Sequence, residues 1–267
     1  MGIDPTAEVH ATAVIEDGAE VGPGCRIGPY CVIGGEVALG ARVVLMSHVA
    51  VAGRTTIGEE TQVFPFASLG HIPQDLKFRG ERVELLIGAR NRIREHVTMN
   101  PGTEGGGGVT RVGDDNLFMM ATHVAHDCVI GDHVIMANNA TLGGHVVVED
   151  YVVMGGISAA HQFVRIGRGA MIGGMAGVAA DVIPYGLVIG DRAHLAGLNL
   201  VGLKRRGAGR EDIHGLRAAF GEMFEGEGSL QERAARVGEK HTGNPLVREV
   251  VEFVTAESAR SFTTPAD

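Results

Sequence analysis

The chain has 267 residues, of which 45% are hydrophobic and 21% are charged, a composition typical of a globular protein with one large domain or one large and one small domain. The net charge of −9 argues against nucleic acid as the main partner, because phosphate binding requires a basic surface. Trp is absent, so the core must be filled by aliphatic and small side chains.

Targeting signals are not evident in the sequence. The N-terminal stretch MGIDPTAEVH has neither a basic region nor an apolar region, so no signal peptide is expected. No apolar run reaches the length of about 18 residues that a membrane span needs, so an integral membrane protein is not expected. The three cysteines lack a Cys-x-x-Cys motif, and a cytoplasmic location is predicted.

Aliphatic residues recur at every sixth position through most of the chain. The first series runs from Ile3 to Leu69 and resumes at Ile87, and a second runs from Val112 to Val178. This period fits neither an α-helix nor a simple alternating strand, but it fits short strands that turn a corner every six residues. The sequence therefore predicts a mainly β fold, a left-handed parallel β-helix of hexapeptide repeats with three strands per coil.

Glycine often follows the repeat aliphatic. We expect these glycines to supply a corner conformation that a Cβ would resist. Cys25, Cys31 and Cys128 each precede a repeat aliphatic by two positions and should point inward with it. The three cysteines are therefore predicted to be buried rather than catalytic or metal-binding.

Two segments interrupt the repeat. Residues 71–86 and 101–111 are expected to leave the coil as loops, and long loops in a strict repeat are more often functional than accidental. The glycine run in the second loop is not a phosphate-binding loop, because no Gly-Lys-Ser/Thr follows it. The repeat fades after Ile189-Gly190, so the β-helix domain is placed at 1–190.

Residues 191–267 are predicted to form a small helical domain. One helix should begin near Arg210, a second should cover 229–240, and Asn244-Pro245 should cap a third. The inward faces are predicted to be Ile213, Leu216, Phe220, Met223 and Phe224 in the first helix, and Leu246, Val250, Phe253 and Val254 in the third.

Residues 18 apart should lie on successive coils, about 4.8 Å from each other. The segment THVAHDCVIGDHV, residues 122–134, then brings polar groups to one edge. The predicted columns there are His126 with Gly144 and Gln162, Asp127 with His145 and Phe163, and Ala125 with Gly143 and His161. Four histidines, at 123, 126, 145 and 161, would thus gather on neighbouring coils, whereas Asn138, Gly156 and Gly174 form a column on another edge.

Such a cluster permits acyl transfer to an alcohol. His126 could act as a general base, and Asp127 could orient it if the pair lies at a corner. The backbone N–H of Gly144 could stabilise an oxyanion. Two alternatives remain open: a zinc site on the histidines, as in a β-helix hydratase of the carbonic anhydrase type, and a non-enzymatic trimeric scaffold.

Five motifs, in chain order PQDLKF, HVAHDC, ANNATLGGHV, GGISAAHQF and GLKRRG, resemble the UDP-N-acetylglucosamine O-acyltransferase family of lipid A biosynthesis over nearly the whole chain. The resemblance implies a homotrimer without metal or cofactor. It implies transfer of a 3-hydroxyacyl chain from the phosphopantetheine thioester of acyl carrier protein to the 3-hydroxyl of UDP-GlcNAc. The nearest alternative is a related UDP-sugar N-acyltransferase, whose additional N-terminal domain has no counterpart here.

The resemblance also assigns residues. It implies catalytic roles for His126, Asp127 and Gly144, and an acyl-length role for Gly174 and Arg192. Many members of the family have His at Asn100 and Arg192 and Glu at Val201, so this chain departs from the pattern there. The implied substrate-binding residues are Gln74, Asp75, Lys77, His123, His145, His161, Gln162, Asn199, Arg205 and Arg206, with the first three reaching a neighbouring subunit's site.

Overall fold

The computed structural model describes residues 2–266 and confirms the predicted left-handed parallel β-helix followed by helices. Twenty-eight short strands form three sheets, one on each side of the coil. In chain order the strands are β1 (Glu8–Val9), β2 (Val14–Ile15), β3 (Glu20–Val21), β4 (Arg26–Ile27), β5 (Val32–Ile33), β6 (Ala38–Leu39), β7 (Val44–Leu45), β8 (Ala50–Val51), β9 (Arg54–Ile57), β10 (Gln62–Val63), β11 (Ser68–Leu69), β12 (Glu84–Ile87), β13 (Arg92–Ile93), β14 (Thr98–Met99), β15 (Val109–Val112), β16 (Leu117–Phe118), β17 (His123–Val124), β18 (Val129–Ile130), β19 (Ile135–Met136), β20 (Thr141–Leu142), β21 (Val147–Val148), β22 (Val153–Met154), β23 (Ala159–Ala160), β24 (Arg165–Ile166), β25 (Met171–Ile172), β26 (Gly177–Val178), β27 (Gly186–Ile189) and β28 (His194–Leu198).

Up to β23 each strand pairs with the strand three places further along the chain, and sheet 1 then continues from β25 to β27 and β28. Sheet 1 runs β1-β4-β7-β10-β13-β16-β19-β22-β25-β27-β28, sheet 2 runs β2-β5-β8-β11-β14-β17-β20-β23-β26, and sheet 3 runs β3-β6-β9-β12-β15-β18-β21-β24. Val9 lies opposite Ile27 and Val124 lies opposite Leu142, the predicted step of 18 residues. Within residues 2–266 the strand pairs are parallel except for β27 with β28. The hexapeptide period therefore sets the register of the coil.

Both predicted loops leave the coil, but each rejoins it three residues earlier than expected. The first loop ends where β12 begins at Glu84, and the second ends where β15 begins at Val109. The reason is that β9, β12 and β15 are four residues long and pair along their whole length. A short 3-10 helix, Glu104–Gly106, lies in the second loop.

The expectation for the repeat glycines is wrong. The left-handed corner conformation is held mainly by other residues, such as Arg42 with a φ of 56° and His133 with a φ of 57°. At most of these glycines, though not at Gly34, successive coils lie too close for a side chain. A Cβ at Gly28 would lie 2.0 Å from the carbonyl oxygen of Met46, and one at Gly58 would lie 2.4 Å from a backbone carbon of the next coil.

The interior of the coil is filled by the repeat aliphatics and by the residues two positions before them. Cys25, Cys31 and Cys128 are fully buried, as predicted, and all three are free thiols. Burial raises the pKa of Cys128 to about 12, so its thiol stays protonated and unreactive. The first coil is the exception to this burial, because its repeat residues Ile3 and Val9 are exposed.

The C-terminal helices match the predicted pattern with one addition. They are α1 (Leu200–Arg205), α2 (Arg210–Phe224), α3 (Leu230–Lys240) and α4 (Pro245–Thr255). Asn244 caps α4 by accepting hydrogen bonds from the N–H groups of Leu246 and Val247, and Ser229 caps α3 in a capping box. The short helix α1 was not predicted, because six residues are too few to show a helical period.

The chain ends against the β-helix. Phe262 pairs with Asp181, and the amide of Leu195 in β28 donates to the carbonyl of Thr264. Sheet 1 thus continues beyond residue 190 through β28, which the fading repeat does not indicate. In the part of the chain that the structure describes, the helices lack the combined length and apolarity that crossing a bilayer requires.

Candidate active site

His126 and Asp127 lie at the corner between β17 of sheet 2 and β18 of sheet 3. Asp127 has a φ of 59°, a left-handed conformation that turns the chain between the two sheets. This corner allows neighbouring residues to direct their side chains into one site, which a continuous strand would not. Both residues are buried, with exposed fractions of 7% and 6%.

The two side chains form a dyad. Nδ1 of His126 lies 2.8 Å from Oδ2 of Asp127. Because an ionised carboxylate only accepts hydrogen bonds, the proton of this bond belongs to Nδ1. The lone pair of a neutral imidazole is then on Nε2, which is the arrangement that a general base needs.

Gly144 lies on the next coil, directly against the His126 ring. A Cβ at this position would lie 2.5 Å from Cε1 and 2.7 Å from Nε2 of that ring. Among residues 2–266 the amide of Gly144 has no hydrogen-bond acceptor. Gly144 therefore packs against the His126 ring, and its N–H is available to another acceptor.

Two further histidines join the dyad. The His145 ring meets the His126 ring edge to face at 5.1 Å and stacks on Phe163 at 4.4 Å, which confirms the predicted columns. Burial lowers the pKa of His145, Asp127 and Asp75 raise it, and His126 lowers it. Burial also lowers the pKa of His123, with a smaller contribution from His126. Nδ1 of His123 lies 2.7 Å from the hydroxyl of Thr98.

The zinc alternative would use three of these residues as metal ligands, namely His126, Asp127 and His145. One ligand atom of each lies within 4.8 Å of the others. The carboxylate of Asp127, however, already accepts hydrogen bonds from His126 and twice from Thr103. Its bonding is that of a group which orients the imidazole, because few of its acceptor positions remain for an ion.

His161 occupies its predicted column but has a different neighbour. Its Nδ1 lies 2.8 Å from Nη2 of Arg260, and Nε of the same arginine donates to the backbone oxygen of Gln162. The structure thus brings His123, His126 and His145 together and places His161 against the C-terminal segment. His161 also lines a cavity of about 820 Å³ with Ala159, Val178, Arg192 and Phe262.

The first loop is tied to Asn100, the residue before the second loop. Its side-chain amide donates to the carbonyls of His71 and Ile72 at 3.0 and 3.2 Å. The negative charge of Asp75, in the first loop, acts to raise the pKa of His145, against the lowering caused by burial. Gln74 and Lys77 in the same loop are exposed.

The predicted nucleotide-binding residues surround α1. Asn199 caps this helix by accepting from the N–H of Gly202 at 2.9 Å and donates to the carbonyl of Gly169. The guanidinium of Arg206 lies over the rings of Tyr151 and Tyr185, at 5.6 and 5.8 Å. Arg205 is exposed at the end of the helix.

Gly174 lies in the predicted column with Gly156, whose carbonyl accepts from the amide of Met175. A Cβ at Gly174 would meet the oxygen of Gly156 at 3.4 Å and the amide nitrogen at 4.0 Å, which are ordinary van der Waals contacts. Arg192 lies elsewhere, on the cavity beside sheet 2.

Sequence reasoning missed Thr103 and Arg260. Thr103 lies in the second loop, which was marked as functional, but no period fixes which of its side chains faces the dyad. Arg260 follows the last helix and carries no motif. Only folding brings these two residues next to residues 24 and 99 positions away.

Comparison with known proteins agrees with this arrangement. Residues 181–263 match the model of domain 2 of UDP-N-acetylglucosamine O-acyltransferase, and residues 110–144 match that of the bacterial transferase hexapeptide. The acyl-[acyl-carrier-protein]--UDP-N-acetylglucosamine O-acyltransferase of Rhizobium leguminosarum is 48% identical over 98% of this chain and 97% of its own length. That of Paracoccus denitrificans is 64% identical over 76% of this chain and 77% of its own.

Solved structures give the same result. A crystal structure of a UDP-N-acetylglucosamine acyltransferase superimposes with a TM-score of 0.94 at 45% identity, covering 97% of this chain and all of that one. The enzyme from Campylobacter jejuni superimposes with a TM-score of 0.91 at 37% identity, with 97% and 100% coverage. Identity at this level over nearly the full length, together with the same fold, shows that this chain belongs to the UDP-N-acetylglucosamine O-acyltransferase family.

Proposed function

We propose that the protein transfers a 3-hydroxyacyl chain from acyl carrier protein to the 3-hydroxyl of UDP-GlcNAc, the first step of lipid A biosynthesis. The observation that carries this proposal is the dyad: Nδ1 of His126 lies 2.8 Å from Oδ2 of Asp127, and Gly144, whose amide has no acceptor among residues 2–266, packs against the same ring. The relatives at 48% and 64% identity bear the name of this activity.

The proposed chemistry is direct attack by the sugar. Nε2 of His126 takes the proton of the 3-hydroxyl while the oxygen attacks the thioester carbonyl. The amide of Gly144 donates to the oxyanion that forms. When the tetrahedral intermediate collapses, the C–S bond breaks and the phosphopantetheine sulfur recovers the proton from His126. Asp127 stabilises the imidazolium between these steps.

The remaining substrate groups fit the surrounding residues. In this proposal His123, His145, His161 and Gln162 line the sugar and thioester pocket, Gln74, Asp75 and Lys77 contact the sugar diphosphate, and Asn199, Arg205 and Arg206 serve the nucleotide end. Guanidinium groups suit a diphosphate in charge and geometry. The basic end of α1 would also favour an acidic carrier protein on an enzyme of net charge −9. The thioester is a substrate, and the scheme needs no cofactor.

We infer that Gly174 and Arg192 limit the length of the acyl chain. Arg192 lines the apolar cavity beside sheet 2, whereas Gly174 lies outside the lining of that cavity. The cavity of about 820 Å³ is lined by Ala159, Val178 and Phe262, which suits a hydrocarbon chain. The absence of a side chain at Gly174 favours a long chain. In a Gly174→Met variant, a ladder of acyl carrier protein donors should show a preference shifted to shorter chains; an unchanged preference would refute the role of Gly174.

We infer a homotrimer in the cytoplasm. Exposed apolar side chains follow one corner of the coil, with Phe66 at 52%, Ile157 at 64% and Met175 at 71% exposure, and such a row is typical of a surface that another subunit covers. The three free thiols are compatible with a reducing compartment. Light scattering in solution measures the subunit number.

Product analysis tests the function. Incubation with UDP-GlcNAc and 3-hydroxyacyl carrier proteins should yield a product whose mass is increased by one acyl group. A His126→Ala variant that assembles like the wild type should lose about 10²–10⁴-fold in kcat. Near-full turnover by this variant would refute the general base. One tightly held zinc per chain, required for turnover, would instead favour the hydratase-type alternative.

A further inference from the structure

The glycine-rich second loop folds back onto the catalytic dyad. A Cβ at Gly106 would lie 2.0 Å from the carboxylate carbon of Asp127, so the loop packs directly on that group. Gly107 and Gly108 have φ values of 94° and 79°, a region that favours glycine. The glycine run thus allows a tight reversal that a chain with side chains would resist.

Thr103 is the residue that this reversal presents to Asp127. Its backbone N–H donates to Oδ1 at 2.8 Å and its hydroxyl donates to Oδ2 at 2.6 Å. The loop closes on Thr103 in turn, because the amides of Gly106 and Gly108 donate to its carbonyl at 3.0 and 2.8 Å. Thr103 is therefore held by the loop at one end and by the carboxylate at the other.

The two donors fix the plane of the carboxylate. Oδ2 of Asp127 accepts both from the hydroxyl of Thr103 and from Nδ1 of His126. The Asp127 side chain is only 1% exposed, so water cannot replace a lost donor without opening the site. The direction and the strength of the hydrogen bond between Asp127 and His126 then depend on the two hydrogen bonds that Thr103 donates.

We propose that Thr103 is a positioning residue for the acyl transfer. Its hydrogen bonds orient Oδ2 of Asp127 towards His126, and they weaken the electrostatic attraction between that oxygen and the imidazolium. This inference rests on the proposed function and deepens it. Without the hydroxyl, the carboxylate can rotate, and Oδ2 attracts the protonated His126 ring more strongly because it no longer accepts a bond from Thr103. The imidazole is then less well oriented towards the substrate, and it releases its proton less readily to the leaving sulfur.

The test compares three variants with the wild type under the same assay. Thr103→Val removes the hydroxyl and keeps the shape and the backbone donor. Thr103→Ser restores the hydroxyl. Thr122→Val is the matched control, since the Thr122 hydroxyl is buried and has no hydrogen-bond partner among the described residues. For each, kcat, KM for UDP-GlcNAc, the pH profile of kcat/KM and the melting temperature are measured.

Thr103→Val should lower kcat by about 10–100-fold, the usual effect of removing a group that orients a functional residue, with a much smaller change in KM. The acid limb of its kcat/KM profile should move to higher pH, because a carboxylate with one donor fewer holds the protonated imidazole more tightly. Thr103→Ser should return both quantities towards wild type, and Thr122→Val should change neither.

Equal kcat and an unmoved acid limb in Thr103→Val would overturn the inference while leaving the proposed function intact. A wild type without turnover would instead overturn both. If Thr103→Val does not fold, Gly106→Ala provides a second way to displace the loop, and it should lower kcat and move the same limb. Failure of both variants to fold, with Thr122→Val folded, would assign Thr103 a purely structural role and overturn the inference.

Discussion

Gly144 determines the space available to the His126 ring. The imidazole lies where a side chain at 144 would begin, since a Cβ there would be 2.5 Å from Cε1. The same glycine leaves its amide free for the oxyanion. Because the coils are stacked only about 4.8 Å apart, Gly144 both leaves space for the His126 ring and offers an N–H to the oxyanion.

A Gly144→Ala substitution is expected to lower kcat by about 10²-fold or more, because the new methyl group must push the His126 ring out of line with the substrate. The matched control is Gly34→Ala, at which the nearest atom to a Cβ is 3.5 Å away and no ring is involved. Steady-state kinetics of the two variants check the difference. Equal activities would show that the ring does not need the space above it.

The strands and their corners follow a simple rule. The inward aliphatic every six residues and the step of 18 between coils determine which strands pair, so three sheets and the site columns could be predicted from sequence. The reason for the glycines could not, because crowding between coils depends on the distance between two backbones. A single-chain pattern shows that glycine recurs but not whether conformation or space requires it.

Gly28→Ala should be destabilising even though its backbone conformation suits any residue. The added Cβ would lie 2.0 Å from the carbonyl of Met46, so two coils must move apart, at a cost of about 1–3 kcal/mol in the free energy of unfolding. Gly34→Ala again serves as the control, with only ordinary contacts. Denaturant unfolding at one fixed protein concentration measures both, and equal losses in the two variants would contradict the crowding argument.

The site as a whole was only partly predictable. The columns bring His126, Asp127, His145 and Gly144 together because all four lie on the repeat. Thr103 and Arg260 lie outside the repeat, where no period constrains direction, and their contacts follow from the folded loop and tail. Periodic segments can therefore be predicted by register, whereas the loop that adjusts the dyad requires the structure.

The molecule as a whole should lose stability as the pH falls through the histidine range. Burial lowers the pKa of both His123 and His145 in the folded protein. The unfolded chain therefore binds protons first, below the ordinary histidine pKa of about 6.5. Stability that is present above this pH is lost as the pH falls towards the lowered folded values. Glu149, whose pKa is raised by burial, acts in the opposite direction at lower pH.

Replacing His123 by Gln should make unfolding less dependent on pH between about 7 and 5, because one group that takes up a proton on unfolding is removed. Gln can still bond to the Thr98 hydroxyl that His123 contacts at 2.7 Å. His214→Gln, at an exposed position of α2, is the control and should keep the wild-type slope. Melting temperatures measured across this pH range at one protein concentration decide the matter, since subunit association also contributes to stability. A His123→Gln slope equal to that of the wild type would mean that burial of this ring does not govern the acid sensitivity of the fold.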